Sequence, residues 1–135
     1  MIEPKKIEPI SFPKPEFREK AWGLNGVGEE WLVNCDEYCM KILRFAAGKS
    51  FSLHFHQKQE SWYVAEGQLF MEYYDLSNAD LLTKELKVGD IVHVPAGNPH
   101  RLTAITQAVV WEGSSKCYDW DSYRIGKGAS QSESQ

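Results

Sequence analysis

The chain has 135 residues, a net charge of −4, 42% hydrophobic and 13% aromatic residues. That supports one domain with a packed core. No apolar run approaches the length of a membrane span, and no basic patch marks a nucleic-acid partner.

Residues 1–18 read as an extended arm, because Pro4, Pro9, Pro13 and Pro15 recur too closely for a helix. Ile7, Ile10, Phe12 and Phe17 are expected to dock it on the main domain or on a partner subunit. No apolar core follows Met1–Lys6, so no export signal is read. With an odd number of cysteines, this predicts a cytoplasmic location. Cys35, Cys39 and Cys117 make a poor zinc-finger pattern and read as ordinary thiols.

The main domain is expected over 19–125. Strands are predicted over Glu30–Asn34 and Tyr38–Phe45, then Phe51–Phe55 and Ser61–Glu66, with Glu60 opening the latter. Further strands are predicted over Gln68–Tyr74, Leu81–Leu86, Asp90–Val94, His100–Ala104 and Ala108–Glu112. Residues 126–135 have the composition of a disordered tail.

Within this array His54 and His56 are two residues apart, hence on one strand face and about 7 Å apart along it. Glu60 begins the strand that folds back beside them, after the short polar connection Gln57-Lys58-Gln59. A second block, Pro95-Ala96-Gly97 followed by His100, reads as a tight turn delivering another histidine at a strand start. Imidazole and carboxylate are ordinary ligands of zinc, iron, manganese and nickel. His93 lies inside the strand before that turn and reads as a packing or surface residue. If His54 and His56 point inward, Phe51, Leu53 and Phe55 point outward, and the arm or a second subunit is expected to cover them.

These two blocks resemble both motifs of the cupin family. Gly48, His54, His56, Glu60 and Gly67 stand at every spacing of the first, and Gly89, Pro95, Gly97 and His100 at those of the second. Ala104 replaces the second motif's final Asn, which is not a ligand in the family. The resemblance implies an all-β jelly-roll barrel (a double-stranded β-helix) holding one divalent transition metal (Zn, Fe, Mn or Ni) on His54, His56, Glu60 and His100. It also implies a homodimer.

A longer string is similar to the cupin domain of type II mannose-6-phosphate isomerases: Lys20-Ala21-Trp22-Gly23, Glu60-Ser61-Trp62 and Pro99-His100-Arg101-Leu102, with Ala21 where that family has proline. This resemblance implies metal-assisted proton transfer on a sugar phosphate, with Glu72 or Glu66 as the proton-carrying carboxylate and Arg101, Lys49 or Lys58 facing a phosphate. Trp62, on the face of Glu60, is expected to line the cavity. Two further readings stay open. The ligand set also suits a non-haem iron dioxygenase. A single barrel also suits a small-molecule binding module without turnover.

Overall fold

A computed structural model describes residues 6–127. These contain eleven strands and no helix: β1 (Glu16–Leu24), β2 (Val27–Asn34), β3 (Cys39–Phe45), β4 (Leu53–Phe55), β5 (Glu60–Glu66), β6 (Leu69–Asp75), β7 (Asp80–Leu86), β8 (Ile91–Val94), β9 (His100–Ala104), β10 (Ala108–Ser114) and β11 (Tyr123–Gly126). They form two antiparallel sheets, a six-stranded one in the order β1-β2-β3-β10-β5-β8 and a five-stranded one in the order β11-β4-β9-β6-β7. This is the all-β jelly roll that the resemblance to the cupin family implies.

Alternation decides what each strand buries. On β5, Glu60, Trp62 and Val64 are buried while Ser61 and Tyr63 face out. On β9, His100, Leu102 and Ala104 are buried between half-exposed Arg101 and Thr103. Trp22, Phe45, Phe51, Trp62, Leu69 and Leu102 build the core between the sheets. Trp22 stacks on Phe45 with ring centroids 4.6 Å apart. Gly67 joins β5 to β6 at φ +82°, where an added Cβ would lie 2.2 Å from the Gln107 carbonyl oxygen. Only glycine fits that backbone contact.

Three expectations change. First, β1 starts at Glu16, so part of the predicted arm is a strand of the barrel. Its inward face carries Arg18 and Lys20 beside Trp22 and lines a polar cavity, so no hydrophobic alternation announces it. Residues 6–15 form no element, and Ile7, Ile10 and Phe12 stay 87–95% exposed rather than docking on this chain's barrel.

Second, Phe51 points into the core. It precedes the start of β4 at Leu53, so the strand's alternation does not reach it.

Third, the strand that flanks β4 is β11, its edge neighbour in the five-stranded sheet. Gly126 is the register partner of buried Leu53, and Tyr123, the partner of Phe55, stacks on it at 5.1 Å. The predicted tail therefore begins inside a strand, and its residues 128–135 lie outside the described residues. Among the described residues, no helix is long and apolar enough to cross a membrane.

Candidate metal centre

β4 and the turn after it present His54 and His56, and β9 opens on His100, the cross-strand neighbour of His54. The two sequence blocks are tied together by the turn ahead of β9, where the Gly97 amide donates to the His56 carbonyl oxygen at 2.7 Å. Gly97 itself sits at φ +82°. One ring nitrogen from each of His54, His56 and His100 falls within 4.8 Å of the others.

The hydrogen bonds identify those nitrogens. His54 Nδ1 donates to the Ser52 carbonyl at 2.6 Å, and His100 Nδ1 to the Asn98 carbonyl at 2.8 Å. His56 Nδ1 donates to the Asp121 carbonyl. A carbonyl only accepts, so each Nδ1 carries the proton and each neutral ring keeps a lone pair on Nε2. His54 Nε2 and His56 Nε2 are 2.9 Å apart.

Glu60, 2% exposed, brings Oε1 to 3.0 Å from His100 Nε2, yet neither atom has a hydrogen-bond partner. Lone pairs aimed at one another in a buried space are costly unless a cation lies among them. The three imidazoles therefore fit a divalent metal, with the Glu60 carboxylate beside the His100 member of the group. Burial, and then the neighbouring His100 and His56, push the His54 imidazolium pKa down to about 3. This favours the neutral ligand form over the whole physiological range.

Around this centre lies a cavity of about 320 Å³. Trp62 and Phe51 wall it, with rings 5.3 and 6.0 Å from His100. Sequence reasoning named Lys58 only as a candidate for holding a phosphate and did not connect Glu112, Cys117 or Asp121 with the cavity. Lys58, expected in a solvated connection, is buried, with Nζ 3.5 Å from Glu60, 3.2 Å from Glu112 and 3.2 Å from Cys117 Sγ. Burial alone would lower its pKa, but Glu112 and Glu60 more than offset that and raise it.

Glu112 also accepts from Trp62 Nε1 at 3.3 Å and lies 4.0 Å from Lys41. Asp121, 4% exposed, accepts the Gln57 amide at 2.7 Å and the Lys58 amide at 3.1 Å, fixing the connection between His56 and Glu60. Only the fold brings Glu112, Cys117 and Asp121 here, from 52 or more residues beyond Glu60. For Lys58 the one signal was its place between two ligand positions.

Glu72 and Arg101 are brought to each other and not to the cavity. They are register partners on β6 and β9 and form a two-pronged ion pair, 2.9 Å at each prong, while Arg101 also donates to the Lys127 carbonyl. Alternation explains this: His100 faces inward, so Arg101 faces outward, as does Glu72 beside inward-facing Met71. Glu66 and Lys49 do not line the cavity either. His93 is exposed on β8, 3.2 Å from the Ser61 hydroxyl.

The cupin-domain family model matches residues 41–111, more than half of the chain. The chain belongs to the cupin family. No curated protein matches. Among solved structures, this cupin resembles oxalate decarboxylase from Bacillus subtilis, with a TM-score of 0.70 and 19% identity over 86% of this chain and 31% of that one. The same enzyme appears again with its Mn(II) centres, at TM-score 0.69 and 19% identity over 86% and 32%. CapF, a capsular polysaccharide assembling protein from Staphylococcus aureus, matches at 0.71 and 16% over 86% and 32%. The likeness is one of fold, and this cupin spans about a third of the length of those chains.

Proposed function

We propose that this cupin is a metal-dependent enzyme acting on a small anionic molecule, with His54, His56, Glu60 and His100 as ligands of one divalent transition metal. The observation that carries the reading is the convergence of three Nε2 lone pairs and an unpartnered Glu60 oxygen in one cavity. A bound metal supplies Lewis-acid polarisation of a substrate oxygen. The Mn(II) centres of the oxalate decarboxylase, which shares the fold, support a divalent ion.

The anionic substrate is supported by Arg124. It is the register partner of His54 across β11 and β4, and cross-strand partners share a sheet face. It lines the cavity and, among the described residues, has no carboxylate within ion-pair distance. Arg18, by contrast, is paired with Glu16 and Asp119. A guanidinium at the mouth suits a phosphate or carboxylate.

Sugar-phosphate isomerisation follows from the sequence resemblance, and Glu112 is then the cavity carboxylate next to Lys58. Non-haem iron oxygenation is the second reading, favoured by neutral imidazoles with a single carboxylate.

The test is elemental analysis of protein purified without chelators, followed by titration with hexose phosphates and small carboxylates. Binding that falls about tenfold or more in Arg124→Ala supports the anionic class. Proton exchange next to the sugar carbonyl selects the isomerase, and substrate-dependent oxygen uptake selects the oxygenase. Binding without turnover makes the barrel a binding module, and absence of metal after reconstitution overturns the reading.

We also propose a homodimer. Ile42, Trp111, Tyr63 and Ile91 form one cross-strand row on the outer face of the six-stranded sheet. Trp111 is 53% and Ile91 75% exposed. The exposed apolar residues of the arm suit that row on a second copy.

A further inference from the structure

The cavity wall holds a second chemical device that the metal centre does not use. Cys39, on β3, pairs with Asn34 of β2 on one side and Ser114 of β10 on the other. The Asn34 side chain clamps the Cys117 backbone, donating to its carbonyl and accepting its amide, each at 3.0 Å. Cys117 is thereby held over Cys39, between the two register neighbours of that residue. Lys58 Nζ lies 3.2 Å and the Ser114 hydroxyl 3.4 Å from the same sulfur. Cys117 lines the cavity, whereas Cys39 is fully buried behind it. Cys35 is half-buried and has no place in this cluster.

We propose that Cys117 and Cys39 form an oxidation site on the cavity wall: Cys117 reacts with a hydroperoxide as a thiolate, and Cys39 resolves it to a reversible disulfide.

The placement gives each cysteine its role. The adjacent Cys39 thiol lowers the Cys117 pKa; burial opposes this, while Lys41 and Lys58 add to it, and the net is about 5. The adjacent Cys117 sulfur and burial raise that of Cys39, which stays protonated beside the thiolate. Thiolate is the nucleophilic form.

In the first step Cys117 S⁻ attacks one peroxide oxygen. An S–O bond forms to the terminal oxygen, the O–O bond breaks and the other oxygen leaves as alkoxide, or as hydroxide from hydrogen peroxide, giving the sulfenic acid. In the second step, with the Cys117 thiolate consumed and its hold on the Cys39 proton ended, the Cys39 sulfur attacks the Cys117 sulfur as it passes that proton to the departing hydroxyl. The S–S bond forms, the S–O bond breaks, and water leaves with the Cys39 proton. Sulfur supplies the two electrons and the hydroperoxide accepts them. The disulfide removes the charge facing Lys58, leaving that ammonium to Glu60 and Glu112.

The experiment treats the full chain with hydrogen peroxide, then denatures it and alkylates free thiols before intact-mass and peptide analysis. The expected result is a mass loss of about 2 Da, one alkylated cysteine at Cys35, and a Cys39–Cys117 linked peptide that dithiothreitol dissolves. Cys39→Ser should stop at a Cys117 sulfenic acid that dimedone traps. Lys58→Met, checked for folding by circular dichroism, should move the pH at which the reaction rate rises upward by about one unit. Cys39 and Cys117 both remaining alkylatable overturns the proposal. So does a link that involves Cys35, or a folded Lys58→Met variant whose reaction rate rises at the native pH.

Discussion

His54 Nε2 lies 2.9 Å from His56 Nε2 while both rings have committed their Nδ1 protons to backbone carbonyls. Two unprotonated nitrogens at that separation repel, and no neighbouring donor separates them. The arrangement is stable only with a cation between the rings or with one ring forced to another tautomer. Zinc or manganese titrated into chelator-stripped protein is therefore expected to bind near one equivalent. It should raise the unfolding free energy by about 3 kcal/mol at a hundredfold excess over Kd. His54→Ala and His100→Ala should each weaken binding by more than about a hundredfold, the upper range for an outer-shell partner. Full retention of metal by both variants removes the ligand assignment.

Asp121 predicts a separate effect. Its buried carboxylate accepts two amides of the ligand connection, and its carbonyl orients His56. Asp121→Ala leaves two amides unpaired, at a cost of about 3 kcal/mol, or about 10 °C in Tm. It should also weaken metal binding by about 10- to 100-fold. Asp121→Asn keeps one acceptor and should lie between the two proteins in both measurements. An unchanged Tm in Asp121→Ala refutes the assignment.

The three-histidine cluster was legible in the sequence because the two-residue spacing of His54 and His56 and a Pro-x-Gly turn before His100 bring them together without knowledge of the rest of the barrel. The remainder depends on which strands become neighbours. β1 escaped because the face it turns inward carries Arg18 and Lys20 to line a polar cavity, which erases the hydrophobic alternation of a buried strand. Lys58 reads as a solvent lysine until Glu112, 54 residues later, is found 3.2 Å away. Glu72 and Arg101 were assigned without the parity of their strands, and that parity turns both outward.

Glu112 gives a pH prediction. Burial raises its pKa, but the Lys58 and Lys41 ammonium groups outweigh this and hold it at about 2 against an ordinary 4.5. A depressed folded-state pKa contributes stability that is complete above the unfolded value and lost as pH falls through the folded one. Between pH 4.5 and 2 the metal-free protein should lose on the order of 3 kcal/mol through this group. Glu112→Gln should flatten that part of the stability curve, measured by urea unfolding at successive pH values. Parallel curves for the two proteins count against the assignment.

Gly67→Ala tests the junction between β5 and β6. The added methyl meets the Gln107 carbonyl at 2.2 Å, and φ +82° adds strain for any L residue. The backbone must shift, so a loss of about 3 kcal/mol or more is expected. Gly97→Ala has the same φ but open space around its Cβ, and should lose only about 1 kcal/mol. Equal losses in the two variants would show that the contact with Gln107 is not the cause.

The arm and the outer sheet face make the last prediction. Ile7, Ile10 and Phe12 are too exposed in a single chain to be left in water without cost. The row from Ile42 through Trp111 and Tyr63 to Ile91 is an apolar surface across four strands. Covering one with the other in a second copy removes both from solvent. X-ray scattering should give about twice the chain mass of 15.5 kDa. Trp111→Lys should shift the population to single chains at low micromolar concentration by placing a charge in the covered row. Removal of residues 1–15, which precede β1 and leave the barrel strands whole, should do the same. A wild-type mass of one chain refutes the dimer. A dimer that survives the truncation but not Trp111→Lys assigns the interface to the sheet face alone.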